Sequence, residues 1–277
     1  MTFLTRPAAT DHVTLESLLA RLAHHASIDG VLLVGSTGGG ALSATSDYDL
    51  LIVMADTTPL HVGLAWIDGR LADLVFTDAA TIDALVKRDE PASFHTRAGG
   101  LLRWLESGRI AFDRQGRLAR AQAFARAGDR LWPDDDGAIY QQWFKINYNL
   151  QHNRRLARSN DPAVQVALEM RMLYCLAELT VAYFRVRRLA WNGDKQAVRY
   201  WQEHDPAYLA AFQAALAARD MGEKLAVYER LARLTLAPVG GLWDAGVVAL
   251  NFSDEVDFSP ERLGALLDWW QEVSGGE

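Results

Sequence analysis

Residues 31–54 read VLLVGSTGGGALSATSDYDLLIVM, and this stretch decides the predicted fold. An apolar run over Val31–Val34 precedes a segment rich in glycine and serine, and a second apolar run lies within Tyr48–Met54. Short β-rich runs bounded by glycine and serine are typical of strands joined by a loop. The stretch therefore predicts a strand, a loop over Gly35–Ser46, and a second strand.

A helix is expected in front of this stretch. Apolar residues recur at helical spacing between Asp11 and Ile28, with Thr10 or Asp11 as the candidate N-cap and Gly30 as the stop. The chain is thus predicted to enter its first strand from a helix.

Two further strands are predicted after the stretch, over His61–Ile67 and Leu71–Phe76. They are joined at Asp68-Gly69, a dipeptide typical of a tight hairpin turn. Downstream, the pattern predicts helices over 79–88 and 96–107, a strand over 109–112, and a helix after the turn at 113–116. A helix followed by several strands in this way is an α+β pattern.

The segment Trp132-Pro133-Asp134-Asp135-Asp136-Gly137 is a polar breaker, and we place a domain boundary there. Beyond it the pattern is helical, over 138–159, 162–189, 195–203, 206–218, 222–236 and 260–271. The predicted fold class is therefore α+β, with a mixed β-sheet and flanking helices over 1–132 and an all-α helical bundle over 133–277.

Composition limits the classes of function. The chain has 277 residues, with 28 Lys and Arg against 35 Asp and Glu and a formal net charge of −7. Such a chain repels polyanions as a whole, which argues against a role in coating nucleic acid. Cys175 is the single cysteine, so an intramolecular disulfide or a cysteine zinc cluster is excluded. With no signal-peptide pattern and no run near about 18 apolar residues, we expect a cytoplasmic protein that does not enter membranes.

Three aspartates carry the candidate chemistry. Asp47 and Asp49 are two positions apart, so on an extended strand their carboxylates project from the same face. Asp73 lies in the apolar strand predicted over Leu71–Phe76, where a carboxylate is otherwise out of place. If the two strands are neighbours, three carboxylates meet at one point and need a counter-charge such as a divalent cation.

Gly35-Ser36 follows the first predicted strand. A glycine-rich backbone lets amide groups and a small hydroxyl approach phosphate oxygens closely. Mg²⁺ prefers a few carboxylates together with substrate phosphates, and a two-metal clamp can align an attacking hydroxyl with a phosphate leaving group. These residues together indicate nucleotidyl transfer.

The Gly-Ser pair followed by Asp47-x-Asp49 resembles the signature of the DNA polymerase beta-like nucleotidyltransferase superfamily. The chain looks most like its small members with a C-terminal helical domain, such as aminoglycoside and lincosamide nucleotidyltransferases. The motif covers about forty residues, Gly35–Phe76. The resemblance implies that residues 1–132 form the catalytic domain and 133–277 a substrate-binding domain.

The same resemblance implies roles for individual residues. Gly35, Ser36 and Ser46 would contact the nucleotide. Asp47 and Asp49 would ligate Mg²⁺, expected as two ions with a bound NTP. Asp73 would be either a third ligand or the general base, and the sequence leaves that choice open.

One position departs from the family pattern. Relatives often carry a basic residue where this chain has Gly39, so a positive charge for the phosphates must come from elsewhere. Lys195, between two helices predicted in the second domain, is the candidate, by analogy with antibiotic-modifying relatives. A solvated Lys195 is the alternative, as is an exposed Asp73 paired with Arg70 on an edge strand.

The resulting hypothesis is an Mg²⁺-dependent transferase that moves a nucleoside monophosphate from an NTP, most simply ATP, to a hydroxyl of a small molecule. An aminoglycoside-like acceptor suits the acidic charge balance. A nucleotide-binding regulatory or protein-modifying, antitoxin-like protein is the alternative, and a nucleic-acid-directed transferase is a third, less favoured by the net charge. Trp269-Trp270 leaves a homodimer surface open.

Overall fold

A computed structural model describes residues 13–40, 42–56, 61–251 and 260–274. The candidate N-caps Thr10 and Asp11 lie outside these ranges. The chain divides into two compact units, Met1–Trp132 and Pro133–Glu277. The α+β fold class is confirmed, because the first unit contains a mixed sheet with helices and the described elements of the second unit are helical.

The first unit is built on a five-stranded sheet. Its strands are β1 (Ile28–Val34), β2 (Tyr48–Met54), β3 (His61–Ile67), β4 (Arg70–Asp78) and β6 (Arg109–Asp113), in the order β3-β4-β2-β1-β6. Strands β2 and β4 are parallel, and the other neighbours are antiparallel. A separate parallel pair, β5 (Ala92–Ser93) and β7 (Leu131–Trp132), was not predicted from the sequence.

Helices cover both faces of this sheet. They are α1 (Leu15–His24), α2 (Gly35–Gly39), α3 (Ala79–Val86), α4 (Arg97–Ser107) and α5 (Arg117–Arg126). One face packs Val31, Leu33 and Leu50 against α1, and the other packs Leu32 and Leu51 against α3, α4 and α5. Every residue of β1 is buried, as expected for a central strand covered on both sides.

The start and the end of the first helix and the start of the loop differ from their predicted positions. Helix α1 begins after Thr14, whose hydroxyl accepts the Ser17 N–H in a capping box, and it ends before His25. Gly30, predicted as the helix stop, is instead paired within β1. The predicted loop over Gly35–Ser46 begins as the short helix α2.

The predicted hairpin between β3 and β4 is confirmed. Asp68 and Gly69 both have positive φ, 50° and 72°, which is the geometry of a type I′ turn. This turn gives the two strands an in-register antiparallel pairing from Ile67↔Arg70 to His61↔Phe76.

The second unit is a helical bundle. Its helices are α6 (Asp136–Leu156), α7 (Pro162–Val186), α8 (Asp194–His204), α9 (Pro206–Ala217), α10 (Met221–Leu236) and α11 (Pro260–Ser274). Its core centres on the fully buried rings of Trp201, Tyr208 and Tyr228. Among the described helices of the whole chain, none combines the length and apolar character needed to cross a bilayer.

Candidate metal and nucleotide site

The sheet register brings the predicted aspartates together. Asp49 of β2 and Asp73 of β4 are Cα partners across the parallel pair, so their side chains project from the same face. Asp47 lies two residues before Asp49, immediately ahead of β2. Ligand oxygens of the three carboxylates all lie within 4.8 Å of one another, and all three residues are partly buried.

The chemistry of this donor set fits a hard divalent cation. Three partly buried carboxylates at such short range repel one another, and a cation between them offsets that repulsion. Carboxylate oxygens are the ligands that Mg²⁺ and Ca²⁺ prefer, and a small number of carboxylates leaves coordination positions for water or substrate phosphate. The arrangement is thus suited to holding Mg²⁺ together with a phosphate ligand.

Thr37 positions Asp49 of β2 and Asp47 just ahead of β2, and it was not among the site residues predicted from the sequence. The buried Thr37 hydroxyl accepts the Asp49 backbone N–H at 3.1 Å and donates to the Asp47 carbonyl at 3.3 Å. One side chain from α2 therefore fixes the backbone on both sides of Tyr48. The sequence shows a threonine within a glycine-rich loop, but its spacing alone does not connect Thr37 to residues ten and twelve positions later.

Gly35 lies against the carboxylate of Asp49. It follows Val34, the β1 partner of Asp49, and has a φ of +56°. A Cβ atom at this position would be 2.6 Å from Asp49 Oδ2. Glycine is therefore required both by the left-handed backbone and by the close approach of the carboxylate. Ser36, the next residue, is partly buried in the first turn of α2.

The loop ahead of Asp47 is held by Arg70 and by its own serines. Arg70 Nη1 donates to the carbonyl oxygens of Ser43 at 2.6 Å and Ser46 at 3.0 Å. The Ser46 hydroxyl accepts the Ser43 backbone N–H at 2.9 Å. The alternative of an exposed Asp73 on an edge strand, paired with Arg70, is wrong: Asp73 is partly buried, β4 lies between β3 and β2, and Arg70 bonds these loop carbonyls. Ser46 as a nucleotide contact stays a prediction.

Lys195 is exposed and lies in the first turn of α8 in the helical unit. The sequence analysis placed it between two helices, but the helix begins one residue earlier, at Asp194, after the N-cap Gly193. Its contact with nucleotide phosphates stays a prediction.

The fold and the carboxylates define an α+β protein with a candidate divalent-cation site at one end of its mixed sheet. No protein-family model matches the chain, and no curated protein matches it. Among solved structures, it is similar to a nucleotidyltransferase-like protein from Exiguobacterium sibiricum 255-15, with 13% sequence identity and a TM-score of 0.42. That match covers 81% of this chain and 75% of the other.

Proposed function

We propose that this chain is an Mg²⁺-dependent nucleotidyltransferase that moves a nucleoside monophosphate, most simply AMP from ATP, to a hydroxyl of a small-molecule acceptor. The supporting observation is the convergence of Asp47, Asp49 and Asp73 within 4.8 Å, beside the glycine turn at Gly35. The strand register brings Asp49 and Asp73 together, and Asp47 immediately precedes β2.

The reaction has a simple balance. The acceptor oxygen forms a bond to the α-phosphorus of the NTP, and the bond from that phosphorus to the pyrophosphate oxygen breaks. The hydroxyl proton leaves to Asp73 or to water, and pyrophosphate departs. Bound Mg²⁺ would neutralise phosphate charge and align the reacting oxygens.

The chain's own residues divide this work. Asp47 and Asp49 hold the cation, with Asp73 either as a third ligand or as the base that accepts the proton. Gly35 and Ser36 present an open backbone and a small hydroxyl to the triphosphate. Thr37 fixes the backbone of Asp47 and Asp49, from which their carboxylates project, and this contributes to rate because misplacement by about 1 Å can cost on the order of 100-fold.

The net charge of −7 supports a neutral or cationic acceptor over a polyanion. An aminoglycoside-like antibiotic would satisfy this preference. Expected products are the nucleotidylated acceptor and pyrophosphate in equal amounts.

The test is transfer of label from α-³²P-ATP to a panel of hydroxyl compounds, with pyrophosphate release measured in parallel. Asp47→Asn and Asp49→Asn should each reduce transfer by about 100-fold or more. Asp89→Asn, an exposed aspartate in the same unit, is the matched control and should behave like wild type. Unchanged transfer in the Asp47 and Asp49 variants would contradict the proposal. ATP binding without pyrophosphate release on any acceptor would instead favour the regulatory alternative.

A further inference from the structure

Strand β3 exposes several large apolar side chains to solvent, which is unusual for an edge strand. Within the described sheet β3 lies at one edge, where an outer face normally carries polar or charged residues. Val62, Leu64 and Trp66 are instead 63%, 72% and 71% exposed. Residues 62–67 contain no charged side chain.

The opposite face of β3 carries smaller residues. Ala65 and the buried Ile67 pack in the core shared with α1, and a Cβ at Gly63 would face Phe76 and Leu74 of the same core. Apart from the buried Ile67, β3 therefore places its larger apolar side chains in solvent and its smallest residues, Gly63 and Ala65, inside. Burial in the core does not explain Leu64 and Trp66.

These exposed side chains flank the carboxylate cluster. Leu64 is the antiparallel partner of Asp73 and Trp66 is the partner of Leu71, so all four side chains share one sheet face. Directly opposed residues have Cβ atoms about 4.5–5.5 Å apart, and diagonal neighbours are within reach of a tryptophan. Leu71 is itself 40% exposed. We call Val62, Leu64, Trp66 and Leu71 the apolar ledge.

In the order of the strands, the apolar ledge and the glycine turn at Gly35 lie on opposite sides of Asp49 and Asp73. Across the sheet the sequence is β1 with Gly35 at its end, then β2 with Asp49, β4 with Asp73, and β3 with Leu64. Phosphoryl and nucleotidyl groups move between oxygens that are roughly in line. With the triphosphate beside Gly35, the attacking hydroxyl approaches from the side of Asp73 and β3.

We propose that the apolar ledge is the acceptor subsite, and that the acceptor carries an aromatic or aliphatic group beside its reacting hydroxyl. This inference rests on the proposed function and narrows its acceptor from any neutral or cationic hydroxyl compound, aminoglycosides included, to one that carries an apolar group. A fully hydroxylated or polycationic sugar would leave the apolar ledge in water. An arylalkyl alcohol buries it and brings one oxygen to the carboxylates, and transfer proceeds by the same bond changes given above.

Binding to the apolar ledge is measured first without nucleotide or Mg²⁺. The probes are 3-phenylpropan-1-ol and propane-1,3-diol, which share a primary hydroxyl on a three-carbon chain. Saturation-transfer NMR measures the affinity of the protein for each probe. Wild type should bind the aryl alcohol roughly tenfold more tightly than the diol. Trp66→Thr and Leu64→Thr keep β-propensity and should each weaken that binding by roughly tenfold.

Trp132→Thr is the matched control, because Trp132 is a 59% exposed tryptophan on a strand of the same unit and lies outside the apolar ledge. It should bind the aryl alcohol as wild type does, and circular dichroism checks that all three variants fold. Equal affinities for the two alcohols, or equal losses in Trp66→Thr and Trp132→Thr, would overturn the proposal.

A kinetic measurement separates this proposal from the proposed function. With α-³²P-ATP and Mg²⁺, Trp66→Thr should raise KM for 3-phenylpropan-1-ol by roughly tenfold and leave kcat nearly unchanged. If transfer fails with every acceptor while the aryl alcohol still binds at the apolar ledge, the proposed function fails and the apolar site stands. If the diol is a better substrate than the aryl alcohol, the acceptor assignment fails alone.

Sedimentation of wild type and Trp66→Thr tests whether a second copy of the chain covers the apolar ledge instead. A dimer that the substitution dissociates, with no change in alcohol binding, would overturn the proposal.

Discussion

Asp49 and Asp73 are register partners on the parallel strands β2 and β4, and their carboxylates therefore project side by side from one face of the sheet. Residues that are 24 positions apart in the chain (73 − 49) meet because the hairpin of β3 and β4 returns β4 to the edge of β2. The candidate cation site is thus a direct product of sheet topology.

Removing one carboxylate should stabilise the protein when Mg²⁺ is absent. At about 4.8 Å in water, each pair of like charges costs roughly 1 kcal/mol, and Asp73→Asn removes two such pairs, so it should raise the free energy of unfolding by about 2 kcal/mol. In wild type, Mg²⁺ should restore stability by binding the native state, and this gain should be lost in the variant. Urea unfolding with and without Mg²⁺ measures both effects. Destabilisation of Asp73→Asn without Mg²⁺, relative to Asp89→Asn, would contradict the repulsion argument.

Gly35→Ala should remove cation binding. The added Cβ would be 2.6 Å from Asp49 Oδ2, so the carboxylate must move from its place in the cluster. Gly40→Ala is the matched control, because Gly40 also has a positive φ, 71°, but its Cβ would meet no atom within 4 Å among the described residues beyond its chain neighbours. Both variants share the backbone strain, of about 1–2 kcal/mol, and only Gly35→Ala displaces a ligand. Mg²⁺ titration should show a loss of affinity in Gly35→Ala alone.

Thr37→Val should weaken both stability and cation binding. It keeps the shape of the side chain but leaves the Asp49 N–H and the Asp47 carbonyl without their shared partner, at a cost of about 1–3 kcal/mol. Thr37→Ser keeps the hydroxyl and should retain most Mg²⁺ affinity. Denaturant unfolding and Mg²⁺ titration check the two effects, and equal Mg²⁺ affinities of the valine and serine variants would show that Thr37 does not position the aspartates.

The helical unit should lose stability in alkali. Burial raises the pKa of Tyr228 above its ordinary value of 10.0, and burial acts in the same direction on Tyr208. Above about pH 10 the unfolded chain releases these protons while the native state keeps them, so the free energy of unfolding falls as pH rises. Below that pH the stabilisation is fully present.

Tyr228→Phe removes one of the phenolic protons that the native state keeps and the unfolded chain releases above about pH 10. Between about pH 10 and 11.5, its unfolding free energy should fall less steeply than that of wild type, by up to about 1.4 kcal/mol per pH unit. Tyr148→Phe, at a largely exposed tyrosine of α6, is the control and should follow wild type. Denaturant unfolding monitored by circular dichroism gives these slopes, and identical slopes for Tyr228→Phe and wild type would contradict the burial effect.

Local patterns predicted the fold where the deciding interactions are local. Strands β2 and β3 have their predicted bounds, and the Asp68-Gly69 turn identified β4 as the hairpin partner of β3. The start of β1 was not predicted, because aspartate is an unfavourable residue within a strand. In the structure the buried Asp29 is paired with Arg117, which lies 88 residues later in the chain. A partner so distant in sequence leaves no trace in a short window.

The candidate site could likewise be predicted from the sequence only in part. The two-residue spacing of Asp47 and Asp49 and the misplaced charge of Asp73 were sufficient to predict a carboxylate cluster, given neighbouring strands. The parallel pairing that makes them neighbours, and the bonds from Thr37 and Arg70, depend on tertiary contacts and had no sequence signature. Exposure of Leu64 and Trp66 was equally invisible, since alternating apolar residues also fit a buried strand.

Calorimetric titration with ATP tests whether Asp47, Asp49 and Asp73 hold Mg²⁺ and nucleotide together. Wild type should bind ATP only when Mg²⁺ is present, and Asp47→Asn and Asp49→Asn should each weaken that binding by about 100-fold, whereas Asp89→Asn should not. Binding of ATP that is independent of Mg²⁺, or equally strong in the Asp47→Asn and Asp49→Asn variants, would contradict the account.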